Sequence, residues 1–159
     1  MKRANPAKLH FIGQFPDNLI EHDSDKLKDN IKFSFQYFDN SQEAGQDFNQ
    51  WTKEQLEKLL NKLKHYSSNT ISHWKNQRVG SGGLKILEIY KKFPTKSDFV
   101  HPKHIPLDVS WARFRMESDM RLIGFLVPPD IAVYSNLDPN IFYIVFLDQY
   151  HKFYQSEEK

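Results

Sequence analysis

The sequence predicts an α+β domain: an N-terminal strand and two helices packed on a mainly antiparallel sheet, preceded by an N-terminal extension. Three observations predict it. The run "IKFSFQYF" (31–38) alternates apolar and polar residues, the period of a half-buried strand. The run "QDFNQWTKEQLEKLLNKLKHYSS" then switches to a helical period. Three more strand-like runs follow, at about 109–116, 121–127 and 141–147, the first two joined by a connection short enough for a hairpin. One strand, then helices, then a strand meander is the order that places helices against a largely antiparallel sheet.

Each element has its own signal. Residues 1–30 lack clear periodicity and carry Pro6, Gly13, Pro16 and the charged "EHDSDKLKDN". They read as an extension, with the domain proper over 31–155. In the first strand Ile31, Phe33, Phe35 and Tyr37 share one side, and "DNSQ" turns the chain. In the helical run Phe48, Trp51, Leu56, Leu59, Leu63 and Tyr66 form one stripe, which reads as core. A second short helix begins near Asn69 with Ile71 and Trp74 inward. "RVGSGGLK" lacks the G-x-x-x-x-G-K-[ST] phosphate-loop pattern and reads as a flexible break. "LKILEIYKKFP" fits either a short helix or a strand, and Pro94 stops it. "HPKHIP" is a loop, and "PPDIAVYSNLDPN" links the last two strands.

Composition bounds the function. Charged residues are 26% of the chain and apolar ones 39%, the balance of an ordinary globular protein. No run approaches the roughly 18 apolar residues of a membrane span, so no membrane association is expected. The start "MKRANPAKLHFIG" has basic residues but no apolar h-region, so no secretory signal is read there. The chain has no cysteine, which excludes disulfide frameworks, thiolate nucleophiles and zinc ribbons and fits a reducing cytosol. A cytoplasmic protein is expected. Net charge is only +2, but between Lys85 and Arg121 eight Lys/Arg face five Asp/Glu. A locally basic surface of this kind favours a polyanion.

The chemistry concentrates in "WARFRMESDMRLIGFLV" (111–127). Side chains alternate along a strand, so Trp111, Arg113 and Arg115 share one face, expected to be open, while Ala112, Phe114 and Met116 share the core face. Arg121 opens the next strand across the hairpin. The terminal "FLDQYHKFY" is expected to continue as strand and to bring Asp148, His151, Lys152 and Tyr154 to the same sheet. Guanidinium groups match phosphate bidentately and stay charged at any relevant pH. A histidine can take or give a proton near neutrality.

With its strand, two helices and antiparallel strands, with "WARFRMESDMRLIGF" and with a terminal "YHKFY", the chain resembles the RelE/YoeB/ParE superfamily of bacterial toxins. The resemblance covers about 31–154 and is concentrated in 111–125 and the last ten residues. It implies a metal-independent endoribonuclease without cofactor. Many relatives cut messenger RNA on the ribosome and are held inactive by an antitoxin protein. By this resemblance Arg121 matches the strand-start arginine at the scissile phosphate, Arg113 the arginine of the Trp-x-Arg segment, and His151 and Tyr154 the C-terminal pair. Two residues separate that pair here, where YoeB-like proteins place them adjacent. A glutamate used as base by some members has no secure counterpart here, Glu88 being a conceivable one, and Gly124 stands where an aromatic is common. The expected catalytic set is therefore His151, Arg121, Arg113 and Tyr154. Arg115, Lys103, Lys152 and Trp111 are the expected RNA contacts.

Plainer roles stand beside these. Strand arginines are commonly just solvated. Trp111 suits packing at the sheet edge at least as well as base stacking. Lys103 suits plain solvation, and His101 and His104 read as a loop pair, not metal ligands. A non-catalytic nucleic-acid- or protein-binding module of the same fold, including a ParE-like gyrase inhibitor, is the competing expectation.

Overall fold

The computed structural model describes residues 5–14, 27–117 and 119–155. It is an α+β protein built on one five-stranded mixed sheet. Most of the extension expected over 1–30 lies outside the described residues; within 5–14, helix α1 spans Pro6–Ile12. Strand β1 (Lys32–Ser34) is followed by a single 3-10 turn at Phe48–Gln50 and by helices α2 (Lys53–Tyr66) and α3 (Ile71–Asn76). Strands β2 (Leu87–Lys91), β3 (Ser110–Arg115) and β4 (Arg121–Leu126), a short helix α4 (Pro129–Ala132) and strand β5 (Ile141–Asp148) complete the order.

The sheet order is β1-β5-β4-β3-β2. Strand β1 runs parallel to β5, and the other three pairings are antiparallel. Because β1 and β2 lie at opposite edges, the chain between them must cross the sheet. It does so through α2 and α3, which cover one face. Thr52 and Thr70 cap these helices, each side chain accepting a backbone N–H of the first turn. The expected helical stripe is broken at Trp51 into the 3-10 turn and α2, each opening on its own capping box. Trp51, Leu59, Tyr66 and Trp74 nonetheless all reach the same core, against Ala112, Phe114, Leu122 and Phe142 of the sheet.

The opposite face carries a second core, of Trp111, Ile123, Phe125, Tyr143, Phe146 and Phe153 together with Phe99 and Ile105 from loops. Only the short helix α4 touches it among the described residues, through Ile131 and Ala132; loops 92–109 and 149–155 do most of the covering. This corrects the expectation that the face shared by Trp111, Arg113 and Arg115 is open. Trp111 is 1% exposed, edge-on to Phe93 at 4.9 Å and stacked with Phe146 at 6.1 Å, so it is a packing residue and not an RNA contact.

Two further differences have clear causes. The first strand ends at Ser34, not Phe38: Phe35 and Phe38 turn to pack on Phe48, while Tyr37 crosses to Phe125 and Tyr143. Aromatic residues with partners on both sides of an edge strand pull it out of extended pairing. "LKILEIYKKFP", open between helix and strand, is β2, with a bulge between Ile89 and Lys91. Gly124 sits at a second register shift, against β5. A Cβ there would lie 2.2 Å from the Tyr143 carbonyl oxygen and 2.7 Å from the Phe142 ring. The aromatic common at this position in the resembled family has no room.

Candidate functional site

The register of the sheet builds a charged end onto the second face. Arg115 lies directly opposite Arg121 across the β3–β4 ladder, and Arg121 directly opposite Asp148 across β4–β5. Arg113, two residues before Arg115, is on the same face and opposite Glu88 of β2. Like charges directly opposed on a ladder are destabilising, so the fold holds this pair together against electrostatic cost.

Strand β5 stops at Asp148, and the residues beyond it form a loop instead of the expected strand. Asp148, 1% exposed, is the reason. Its carboxylate accepts backbone N–H groups of Tyr150 (3.3 Å), Lys152 (3.0 Å) and Phe153 (3.0 Å). A buried carboxylate that gathers three amides curls the chain back over the sheet end. Phe153, 1% exposed, then plugs the aromatic core. His151 takes φ +56° in that curl and faces the arginines.

Together these residues line a hollow of about 400 Å³. Arg113, Arg115, Arg121, His151 and Tyr154 all line it, with Asp119, Asp148 and Tyr90. Three guanidinium groups thus meet two carboxylates, one of which already serves backbone amides. Arg121 forms the floor. It is 3% exposed, its Nη1 donates to the Met120 carbonyl at 2.8 Å, and burial, then Arg115 and Arg113, push its pKa down to about 10. Arg115 is half-buried, its pKa lowered by burial and then by Arg113. Both stay charged at neutral pH. Arg113 Nη1 and Arg115 Nε are buried without a hydrogen-bond partner among the described residues.

His151 is held below its usual pKa of 6.5 by burial and then by Arg121, against an opposing pull from Asp148 and Asp119. Its Nε2 lies 3.5 Å from Asp119 Oδ1. A neutral imidazole near three cations is a competent proton acceptor at neutral pH. Tyr90 supports the other wall. Its hydroxyl accepts a 2.6 Å hydrogen bond from Arg113 Nε, burial raises its pKa, and its ring stacks on Tyr154 at 4.9 Å and 7°.

Three expected residues lie elsewhere. Lys103 is exposed in the loop whose His101 and His104 pack on Trp111 and Tyr37, away from the hollow. Lys152 is half-buried beside the hollow, its ammonium 5.9 Å from the Tyr150 ring centroid. Glu88, the possible base counterpart, is tied to Lys85 at 2.8 Å. Sequence reasoning missed Tyr90, Asp119 and the anchoring role of Asp148. Only Tyr90 left a readable signal: a β2 strand in phase with Glu88 opposite Arg113 turns it toward the arginine face.

No family model matches the sequence, and neither a curated protein nor a solved structure matches the chain. Among the described residues there is no group of three or more His, Asp or Glu side chains placed to hold a metal ion, and no helix long and apolar enough to cross a membrane.

Proposed function

We propose that this chain is a RelE-like endoribonuclease that cleaves single-stranded RNA, messenger RNA above all, with the hollow as its active site. The observation that carries the reading is the register pair Arg115–Arg121, joined by Arg113 and faced by His151 in one cavity. Clustered, mutually repelling guanidiniums are relieved by an anion, and perturbed titrating groups gather where chemistry is done. In the proposed reaction neutral His151 takes the proton of a ribose 2′-hydroxyl. The 2′-oxygen bonds to phosphorus, the bond to the 5′-oxygen breaks, and the products are a 2′,3′-cyclic phosphate and a 5′-hydroxyl. The arginines stabilise the charge of the phosphorane. Tyr154 and Tyr90 line the same hollow, and their hydroxyls are the proposed source of the proton that the leaving oxygen takes. An antitoxin protein covering the basic hollow is the expected regulator, and the ribosome the expected setting for the substrate.

The test is purified protein incubated with RNA, alone and in a translating extract, with the product termini mapped. Cyclic-phosphate ends, reduced at least about 10²-fold by His151→Ala and by Arg115→Ala as for loss of a transition-state donor, are the expected result. Intact RNA in both settings, or variants that cut as fast as wild type, overturns the reading. One observation favours the competing binding module. Glu88 is engaged by Lys85 and is not free to act as a base. A binder would be indifferent to His151→Ala, and a gyrase inhibitor would damage DNA while leaving transcripts whole.

A further inference from the structure

The hollow does not end at Tyr154. A second, smaller cleft of about 280 Å³ begins on the other side of that residue, lined by Pro94, Thr95, Lys96, Tyr154 and Gln155. Tyr154 is the one residue that lines both, and so forms the partition between them. One face of its ring is backed by Tyr90, which Arg113 in turn holds through its hydroxyl. Yet Tyr154 is 52% exposed, so a large part of the ring is offered to solvent. The walls of the small cleft are fixed: Gln155 N donates to the Lys96 carbonyl at 3.2 Å, and Gln155 Nε2 donates to Asp98 Oδ1 at 2.6 Å. Gln155 thus holds the cleft through both its backbone and its side-chain amide.

An anchored, half-exposed aromatic ring shared by two clefts, with arginines lining the larger one, has the make-up of a single-strand track. Successive bases stack on aromatic rings while cations follow the backbone. We propose that the small cleft is a second nucleotide subsite, in which Tyr154 stacks a base of the strand whose phosphate lies among the arginines. The proposal rests on the reading of the hollow as an RNA site and deepens it. It gives Tyr154 a ring-dependent role in binding beside the hydroxyl role proposed for it in cleavage. Duplex RNA, whose bases are already stacked, does not satisfy the subsite.

The probe is a short, uncleavable 2′-O-methyl oligoadenylate in which one adenine is replaced by the fluorescent base 2-aminopurine. Wild-type protein is expected to bind it and to quench the fluorescence through stacking, and the same strand annealed to its complement is not expected to bind. Tyr154→Phe should bind within roughly twofold of wild type, because the ring is kept, while Tyr154→Leu, which still fills the space beside Tyr90, should lose about 5- to 150-fold, the range for one base–aromatic stack. If the oligonucleotide binds and Arg115→Ala weakens it, but Tyr154→Leu binds like wild type, the second subsite is wrong and the arginine site stands. Damage by Tyr154→Phe equal to that by Tyr154→Leu also overturns the stacking role. Should Tyr154→Leu fail to fold, quenching by wild-type protein decides: binding without quenching at any 2-aminopurine position rejects the stack. No binding by wild-type protein, or binding unaffected by Arg115→Ala, overturns the RNA reading and the subsite with it.

Discussion

The two faces of the sheet are covered differently, and the difference locates the site. On the first face α2 and α3 lay aliphatic and aromatic residues over Phe114, Leu122 and Phe142, and the buried cluster there is wholly hydrophobic. On the second face loops do the work. Trp111, Phe146 and Phe153 seal one end, and the other end opens on Arg113, Arg115 and Arg121. A helix presents a continuous stripe and shuts a sheet along its length. Loops cover only where a bulky side chain is aimed inward. Neighbours on β3 therefore carry opposite duties: Phe114 is core, and Arg115 is cavity wall.

The sharpest way to break this comparison is to cut each neighbour back to alanine. Phe114→Ala should lower stability by about 3–5 kcal/mol, as for a large aromatic in a packed core, read from urea unfolding. Arg115→Ala should leave stability nearly unchanged and lower RNA cleavage about 10²–10³-fold. Equal losses of stability in the two variants would mean that the faces are not distinct in kind.

Asp148→Asn probes how the open end is shaped. The carboxylate gathers three amides, and losing the charge-assisted character of these bonds should cost about 1.5–3 kcal/mol. Cleavage should fall as well, because His151 rides on the loop so anchored. Chemical denaturation and the cleavage assay report the two effects separately, and full activity would show that the loop needs no such anchor.

Gly124→Ala tests the join between the faces, since the glycine lets β4 and β5 approach closely at their register shift. The new methyl would meet the Tyr143 carbonyl, and overpacking of that kind should cost about 1–3 kcal/mol. Thermal unfolding at unchanged secondary structure is the measurement. An unshifted midpoint would show that the strands can part without cost.

The smallest effect concerns pH. His151 is held below 6.5 by burial and Arg121, so cleavage that needs the neutral imidazole is full at neutral pH and falls as pH drops through that lowered value. The Asp119 carboxylate favours the protonated ring, so Asp119→Asn should move the acid limb to still lower pH. A limb that shifts upward, or not at all, removes Asp119 from the proton chemistry.

Local pattern made much of this molecule readable in advance. Alternation in 109–116 and 121–127 marked β3 and β4 and grouped the arginines by face, because side-chain direction in a strand follows from the pleat alone. The helical stripe from Phe48 to Tyr66 and the short run beginning near Asn69 marked α2 and α3 in the same way. What local pattern left dark was long-range. Trp111 and Arg115 have the same phase on one strand, and only the arrival of Phe93 and Phe153 from distant sequence buries the first and spares the second. Tyr90 reached the site through a β2 assignment that periodicity left open.

The sequence by itself determined the strand character of 109–116 and 121–127, the helical character of the run ending at Tyr66, and which side of β3 and β4 each side chain takes, because those depend on neighbours one to four positions away. Tertiary structure alone decided that the C-terminal segment curls at Asp148, that Trp111 is sealed, and that three guanidiniums and an imidazole share one cavity. Such facts depend on register between strands and on loops closing over a face, and both are set by contacts across many residues of chain.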